Sequence, residues 1–324
     1  MKLLEVQDLK TYFKTSKGYV KAVDGVSFSL DHGECLGLVG ESGCGKTTTA
    51  LSITRLLPKG GEVKGGKIFL EGVDYATLTD KEIEDHRWED VSIIFQGAMN
   101  AFNPVKKVGW QIAEACIRHK GMSKDEAWKR AGELFELVGI PAERVTQYPH
   151  EFSGGMKQRA MIAMALACDP KLIIGDEPTT ALDVMIQAQI LELLEDLRKK
   201  LNMGMILITH DLSILGETCD KIAVMYAGRI AEMGTVDDIF NHAAHPYTKA
   251  LLACFPNIYS DERTVPEGIP GIPPDLIDPP EGCRFCPRCK CAFEACSREI
   301  PEFREISEGH FVSCHLLGKE ENHG

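Results

Sequence analysis

The segment GLVGESGCGKTTT, residues 37–49, spaces Gly40, Gly45, Lys46 and Thr47 as glycine, four residues, glycine, lysine, threonine, with Ser42, Gly43 and Thr48 in the same stretch. An apolar run, CLGLV, leads into it and a helical pattern, TTTALSITRLL, leads out. A phosphate-binding loop needs that strand, loop and helix context. Glycines let backbone N–H groups turn inward around phosphate oxygens, and the helix N-terminus favours negative charge. A lysine spans the β- and γ-phosphates of ATP, and a threonine hydroxyl ligates Mg2+. The plain alternative is a glycine-rich turn beside a chance lysine. A second apolar run, LIIGDEP, ends in Asp176 and Glu177. An aspartate there suits the Mg2+ shell and the next carboxylate suits polarisation of water, although an acidic pair after a strand also serves as a helix cap.

A different chemistry is written near the C-terminus, in GCRFCPRCKCAFEAC, residues 282–296. Of twelve cysteines, Cys35, Cys44, Cys116, Cys168, Cys219 and Cys254 are scattered and read as small core residues. The other six, Cys283, Cys286, Cys289, Cys291, Cys296 and Cys314, are clustered. Disulfides, zinc and an iron-sulfur cluster compete for such a group. The N-terminus lacks the apolar stretch and small-residue cleavage site of a signal peptide, and no run of about 18 apolar residues occurs. These features place the chain in the cytosol, where dense cysteines read as metal binding rather than disulfides. Zinc favours two C-x2-C pairs. The observed spacing is C-x2-C-x2-C-x-C-x4-C, and Cys283, Cys286 and Cys289 reproduce part of a bacterial ferredoxin run.

The elements that hold these groups follow from periodicity. With 44% hydrophobic residues the 324-residue chain can bury real cores, and a net charge of -12 weighs against non-specific nucleic-acid binding. From residue 2 to about 75, short β-rich runs alternate with turns. From about 107 to 140 the period becomes helical, with Ser123 and Glu126 spaced as a capping box. KLIIGDEP, MGMILITHD and KIAVMYAGRI then alternate with helices such as DVMIQAQILELLEDLRKK, as in a parallel sheet. After about 255, GIPGIPPDLIDPPEG reads as a proline-rich linker into the cysteine segment.

Between these elements stands FSGGMKQR, residues 152–159, which resembles the signature motif of ATP-binding-cassette ATPases. Gln96 in IIFQ, Asp183 in TALD and His210 in ITHD resemble that family's Q-loop, D-loop and switch histidine, in the family's order. Phe152 and Met156 stand where leucine and glutamine are common, while Ser153, Gly154 and Gly155 are intact. The resemblance implies a P-loop NTPase cassette over residues 1–254, with a mixed or parallel sheet core, an antiparallel β subdomain, and a helical subdomain at about 97–160. It also implies Mg2+ held through Thr47, Gln96 and Asp176, Glu177 as general base, and His210 holding the γ-phosphate. An aromatic would stack on adenine; Tyr12, Phe13 and Tyr19 are available, and counting against the family pattern favours Phe13. Ser153, Gly154, Gly155 and Asp183 would act across a head-to-tail dimer.

HPYTKALLACFP, residues 245–256, TTALDVMIQAQILELL and the cysteine-rich ending are most similar to the ATPases of oligopeptide and dipeptide importers. That likeness implies two transmembrane permease subunits, a second, unequal ATPase subunit, an extracellular solute-binding protein, no nucleic acid, and a place on the cytoplasmic face of the membrane. FQGAMNAFNP and the helical region after it would receive the permeases. Related importers carry nickel, glutathione or oligosaccharides, and soluble DNA-repair ATPases share the cassette but would show a basic groove and large insertions. The family's cysteine pattern maps onto Cys283, Cys289, Cys296 and Cys314, implying a structural [4Fe-4S] cluster, with Zn2+ as the alternative and Cys286 and Cys291 as extra thiols in a 255–324 extension.

Overall fold

The computed structural model describes residues 2–97, 101–180, 182–254 and 268–318. In chain order the strands are β1 (Leu4–Thr15), β2 (Gly18–Leu30), β3 (Cys35–Val39), β4 (Gly61–Leu70), β5 (Val73–Asp74), β6 (Val91–Ile94), β7 (Leu172–Asp176), β8 (Gly204–Ile208), β9 (Lys221–Tyr226), β10 (Arg229–Thr235), β11 (Phe303–Ser307) and β12 (His310–Ser313). The helices are α1 (Lys46–Ile53), α2 (Asp80–His86), α3 (Val108–Lys120), α4 (Lys124–Leu137), α5 (Gly154–Ala165), α6 (Val184–Leu201), α7 (Leu212–Thr218), α8 (Val236–Asn241), α9 (Pro246–Ala253) and α10 (Glu294–Arg298).

Among the described residues the strands form two sheets. One is antiparallel, in the order β2-β1-β4-β5; the other is mixed, in the order β11-β12-β10-β9-β3-β8-β7-β6. Strands β3, β7 and β8 are buried along their whole length, and their side chains divide by period two between two cores. Cys35, Val39, Ile173, Met205 and Leu207 face one; Leu36, Leu38, Leu172, Ile174, Ile206 and Ile208 face the other. Covering both faces explains why these strands read as continuous apolar runs. Their parallel register, Leu38 opposite Ile208 and Asp176 opposite Ile208, brings the C-terminal ends of β3, β7 and β8 to one edge. Ligands of open α/β sheets bind at that edge.

The helical region forms α3 and α4, and the Ser123–Glu126 capping box is present. Ala127, Ala131, Leu134 and Phe135 supply the buried face of α4 at helical spacing. KIAVMYAGRI departs from the reading as one run. It folds as the antiparallel hairpin β9–β10, because Ala227 and Gly228 both take positive φ and close a two-residue turn. The C-terminal extension adds two strands to the main sheet, with Glu232 of β10 opposite Val312 of β12. The proline-rich stretch is also bound to the cassette: the Lys21 N–H donates to the Leu276 carbonyl at 2.9 Å. No helix among the described residues is long and apolar enough to cross a membrane.

Candidate nucleotide site and cysteine-rich segment

The loop after β3 can curl only because of its glycines. Gly40 has φ of 150° and Gly45 of 111°, and a Cβ on either would lie 2.1 Å from the Met225 carbonyl oxygen or 2.3 Å from that of Ala22. Any side chain there collides with backbone, so the curl is fixed to glycine. The resulting cleft, of about 310 Å³, is lined by Gly40, Ser42, Gly43, Gly45, Lys46, Thr47, Thr48, Gln96, Glu177 and His210. Its volume suits a small-molecule site. Lys46 donates to the carbonyls of Gly40 at 2.7 Å and Glu41 at 3.2 Å. The Thr47 hydroxyl donates to Asp176 Oδ1 at 3.1 Å. Burial raises the Asp176 pKa, and the Thr47 hydrogen bond opposes that shift. A threonine hydroxyl and a carboxylate oxygen at this separation are hard oxygen donors of the type that hold Mg2+.

Glu177 follows β7 with φ of 48°, an uncommon conformation for a residue with a side chain. Three groups meet its carboxylate. Gln96 Nε2 donates to Oε2 at 2.7 Å, Thr180 Oγ1 donates to Oε2 at 3.0 Å, and His210 Nδ1 stands 3.5 Å from Oε1. Strand ends far apart in sequence thus aim at one carboxylate on the rim of the phosphate cleft. Gln96 is bound to Glu177 here, rather than beside Thr47 and Asp176 as its expected Mg2+ role implies.

The remaining expected residues lie outside this cleft. Ser153 caps α5, its Oγ accepting from Met156 N at 3.4 Å, and Asp183 caps α6, its Oδ1 accepting from Ile186 N at 3.0 Å. Gly154 opens α5. Gly155 abuts Ile186, whose Cγ2 lies 3.0 Å from where a Cβ would be, so the start of α5 packs on the first turn of α6. The Phe13 ring packs over Gly61 of β4, 2.6 Å from its Cβ position. Tyr12 instead donates to Asp24 at 2.6 Å, and Tyr19 is exposed, its ring beneath the Lys64 ammonium.

Sequence reasoning missed Glu41, Tyr247, Arg284 and Arg288. The Glu41 N–H donates to the Tyr247 hydroxyl at 3.0 Å, and Arg288 forms a two-pronged ion pair with the Glu41 carboxylate at 2.6 and 2.9 Å. Arg284, buried between cassette and extension, bonds Asp24 at 2.5 Å and the Ala227 carbonyl. The repeated arginine between cysteines, in CRFCPRC, is the sequence signal.

All six C-terminal cysteines line one cavity, together with His245, Pro246, Phe285, His315 and Leu316. The Cys283 N–H donates to the Cys296 carbonyl at 2.8 Å, and the Cys286 N–H to the Cys283 carbonyl at 3.0 Å, so the backbone wraps the cavity. Burial pushes the Cys283 thiol up to about 11, and Cys296 and Cys314 reinforce the shift electrostatically. Burial also raises Cys289 and Cys314, each with Cys296 as a contributing neighbour. None of the twelve cysteines is in a disulfide. Among the described residues no three His, Cys, Asp or Glu side chains are grouped to hold a single metal ion. Ligands of one zinc ion share a centre about 2.3 Å from each sulfur. Four thiolates on a cubane bind four different iron atoms and stand wider apart.

Residues 23–180 match the ABC transporter family model, and residues 231–296 match the model for the oligopeptide/dipeptide transporter C-terminal region. The chain is 51% identical to the oligopeptide transport ATP-binding protein OppD of Bacillus subtilis (strain 168), over 98% of this chain and 89% of that protein. It is 49% identical to the dipeptide transport ATP-binding protein DppD of the same organism, over 99% of this chain and 97% of that protein. Among solved structures, a dimeric ATP-binding cassette in a post-hydrolysis state with ADP and Pi superposes with a TM-score of 0.65 and 25% identity, covering 72% of this chain and 98% of that one. The chain therefore belongs to the ABC transporter family, among the oligopeptide and dipeptide transport ATP-binding proteins.

Proposed function

We propose that this chain hydrolyses ATP to energise peptide import through a membrane ABC transporter, with Glu177 as the general base. The observation that carries the assignment is the Glu177 carboxylate, held by Gln96 and Thr180 and faced by His210 at the rim of the glycine-loop cleft. Lys46 and the loop amides would hold the phosphates, Thr47 and Asp176 would hold Mg2+, and Gln96 would sense its occupancy. When bound, Mg2+ neutralises charge developing on the phosphates. Glu177 takes the proton of the attacking water, and His210 keeps water and γ-phosphate in line. Phe13 is proposed for adenine, although its packing on Gly61 also serves the sheet.

Ser153, Gly154, Gly155 and Asp183 lie away from the cleft of their own chain and would complete that of a second ATPase subunit. ATP would then close the pair because its γ-phosphate is contacted only in the closed state, and hydrolysis reopens it. Two permease subunits would dock around Gln96, at the cytoplasmic face of the membrane, and an extracellular solute-binding protein would deliver the peptide. Exposed Phe95 and Val105 support a docking surface there; residues 98–100 of that segment lie outside the described residues. In the assembled transporter, Glu177→Gln is expected to bind ATP normally and turn over roughly 100-fold more slowly. Near-normal steady-state turnover removes Glu177 from the role.

The extension is proposed to hold a [4Fe-4S] cluster on Cys283, Cys289, Cys296 and Cys314, with Cys286 and Cys291 as extra thiols. Support comes from the cavity that the cysteines share, in which Cys296 is buried and Cys283, Cys289 and Cys314 are partly buried, while Cys291 is exposed. When bound, the cluster cross-links a segment with little core of its own. Anaerobically purified protein should absorb near ~400 nm and contain iron and sulfide, as Fe–S thiolate ligation requires. A colourless protein with one bound zinc replaces the cluster by the zinc alternative.

A further inference from the structure

Glu41 sits inside the phosphate loop, yet only its neighbours line the cleft: Gly40 and Ser42 do, and Glu41 does not. A carboxylate in a loop built to surround a polyphosphate carries the wrong charge for its place. The structure turns that carboxylate away and neutralises it. All the donors of the buried Arg288 guanidinium are occupied: Nη1 bonds Glu41 Oε2 at 2.6 Å and the Tyr226 hydroxyl at 3.2 Å, Nη2 bonds Glu41 Oε1 at 2.9 Å and the Ile269 carbonyl at 3.2 Å, and Nε bonds the Pro270 carbonyl at 2.8 Å. Such a paired fork is the geometry by which arginine fixes a carboxylate in direction as well as charge. Tyr247, fully buried, holds the same residue by its backbone N–H, and the Tyr226 ring packs against both Tyr247 and Arg288.

We propose that Arg288, from the cysteine-rich extension, is a positioning residue of the nucleotide site: it sets the phosphate loop and removes a repulsive charge by holding Glu41 out of the cleft. The proposal rests on the reading of the cleft as the ATP site; it is independent of what the cysteines bind. The extension is then a working part of the cassette. Arg288 lies between Cys286 and Cys289 on the segment that wraps the thiol cavity, so the ion pair joins that segment to the phosphate loop.

The test is equilibrium binding of a fluorescent ATP analogue with Mg2+ to the full chain, together with KM and kcat in the assembled transporter. Arg288→Ala is expected to weaken binding roughly tenfold, the scale of one uncompensated charge beside a polyphosphate. It should raise KM for ATP by a similar factor and change kcat by less than about twofold, as loss of uniform binding does. Adding Glu41→Gln to Arg288→Ala removes the repulsion and should restore affinity to within about threefold of the parent, a non-additive cycle. Arg288→Lys, which keeps the charge without the fork, should fall between. If the double variant binds no better than Arg288→Ala, Arg288 is a structural anchor only and the proposal fails. It fails equally if Arg288→Ala binds like the parent. Where Arg288→Ala does not fold, Arg288→Met keeps an apolar stem against Tyr226 and carries the same comparison. A parent chain that binds no nucleotide refutes the ATP-site reading instead.

Discussion

At the scale of single residues, His245 shows how one side chain constrains pH behaviour. It caps α9, its Nδ1 accepting from Tyr247 N at 3.0 Å, with Pro246 at the first helical position. An imidazole nitrogen accepts only while it is unprotonated. Burial pushes the His245 pKa from 6.5 down to about 4. Between those values the unfolded chain binds a proton that the folded chain refuses. Stability is therefore whole above about 6.5, is lost as pH falls below it, and levels off below about 4. At pH 5 the loss from this residue is about 2 kcal/mol. His245→Asn keeps a cap acceptor and removes the titration, so its denaturation midpoint should fall less between pH 7.5 and 5 than the parent's. Equal falls for parent and variant would mean that the imidazole does not carry the effect. Proline and cap make the helix start at HPY a local feature of the sequence; the service of Tyr247 to a loop more than 200 residues upstream is not local.

Among the elements, legibility follows the range of the interactions. The phosphate loop, the acidic end of β7 and the α4 capping box lie within a few residues of their own causes, and the structure has them where spacing put them. The β9–β10 hairpin was missed because its turn is Ala227–Gly228 instead of the asparagine-glycine or aspartate-glycine pair that marks such turns. β11 and β12 are short strands with little alternation, β11 at the sheet edge, and only the pairing of β12 with β10 and of β11 with β12 defines them. What fastens them is remote. His310 Nε2 lies 2.8 Å from Glu232 Oε1, and Glu232 also accepts from the N–H groups of Ala244 and His245 at 2.6 and 3.0 Å. The Arg284–Asp24 ion pair spans a separation of 260 residues. No local pattern could announce either, so the extension read as a tail while its contacts make it part of the sheet.

For the whole molecule, the arrangement of the site argues for a partner. The cleft gathers Lys46, Thr47, Gln96, Glu177 and His210 from one chain, while Ser153, Gly155 and Asp183 lie outside it, where the start of α5 packs on the first turn of α6. Beside that contact Val184 and Met185 are 78% and 73% exposed. Two adjacent large apolar side chains at the first turn of α6 gain nothing from the fold, and their burial against a second subunit would contribute. A charge at that point would cost such an assembly and spare the cleft. Val184→Asp with Met185→Glu should leave ATP-analogue binding by the isolated chain within about twofold, and lower ATPase turnover of the assembled transporter by roughly tenfold or more, as loss of a buried apolar anchor does at an interface. The two measurements separate the alternatives. If both fall, the substitutions have damaged the cassette itself; if turnover persists, Val184 and Met185 face solvent throughout the cycle and the second subunit closes elsewhere.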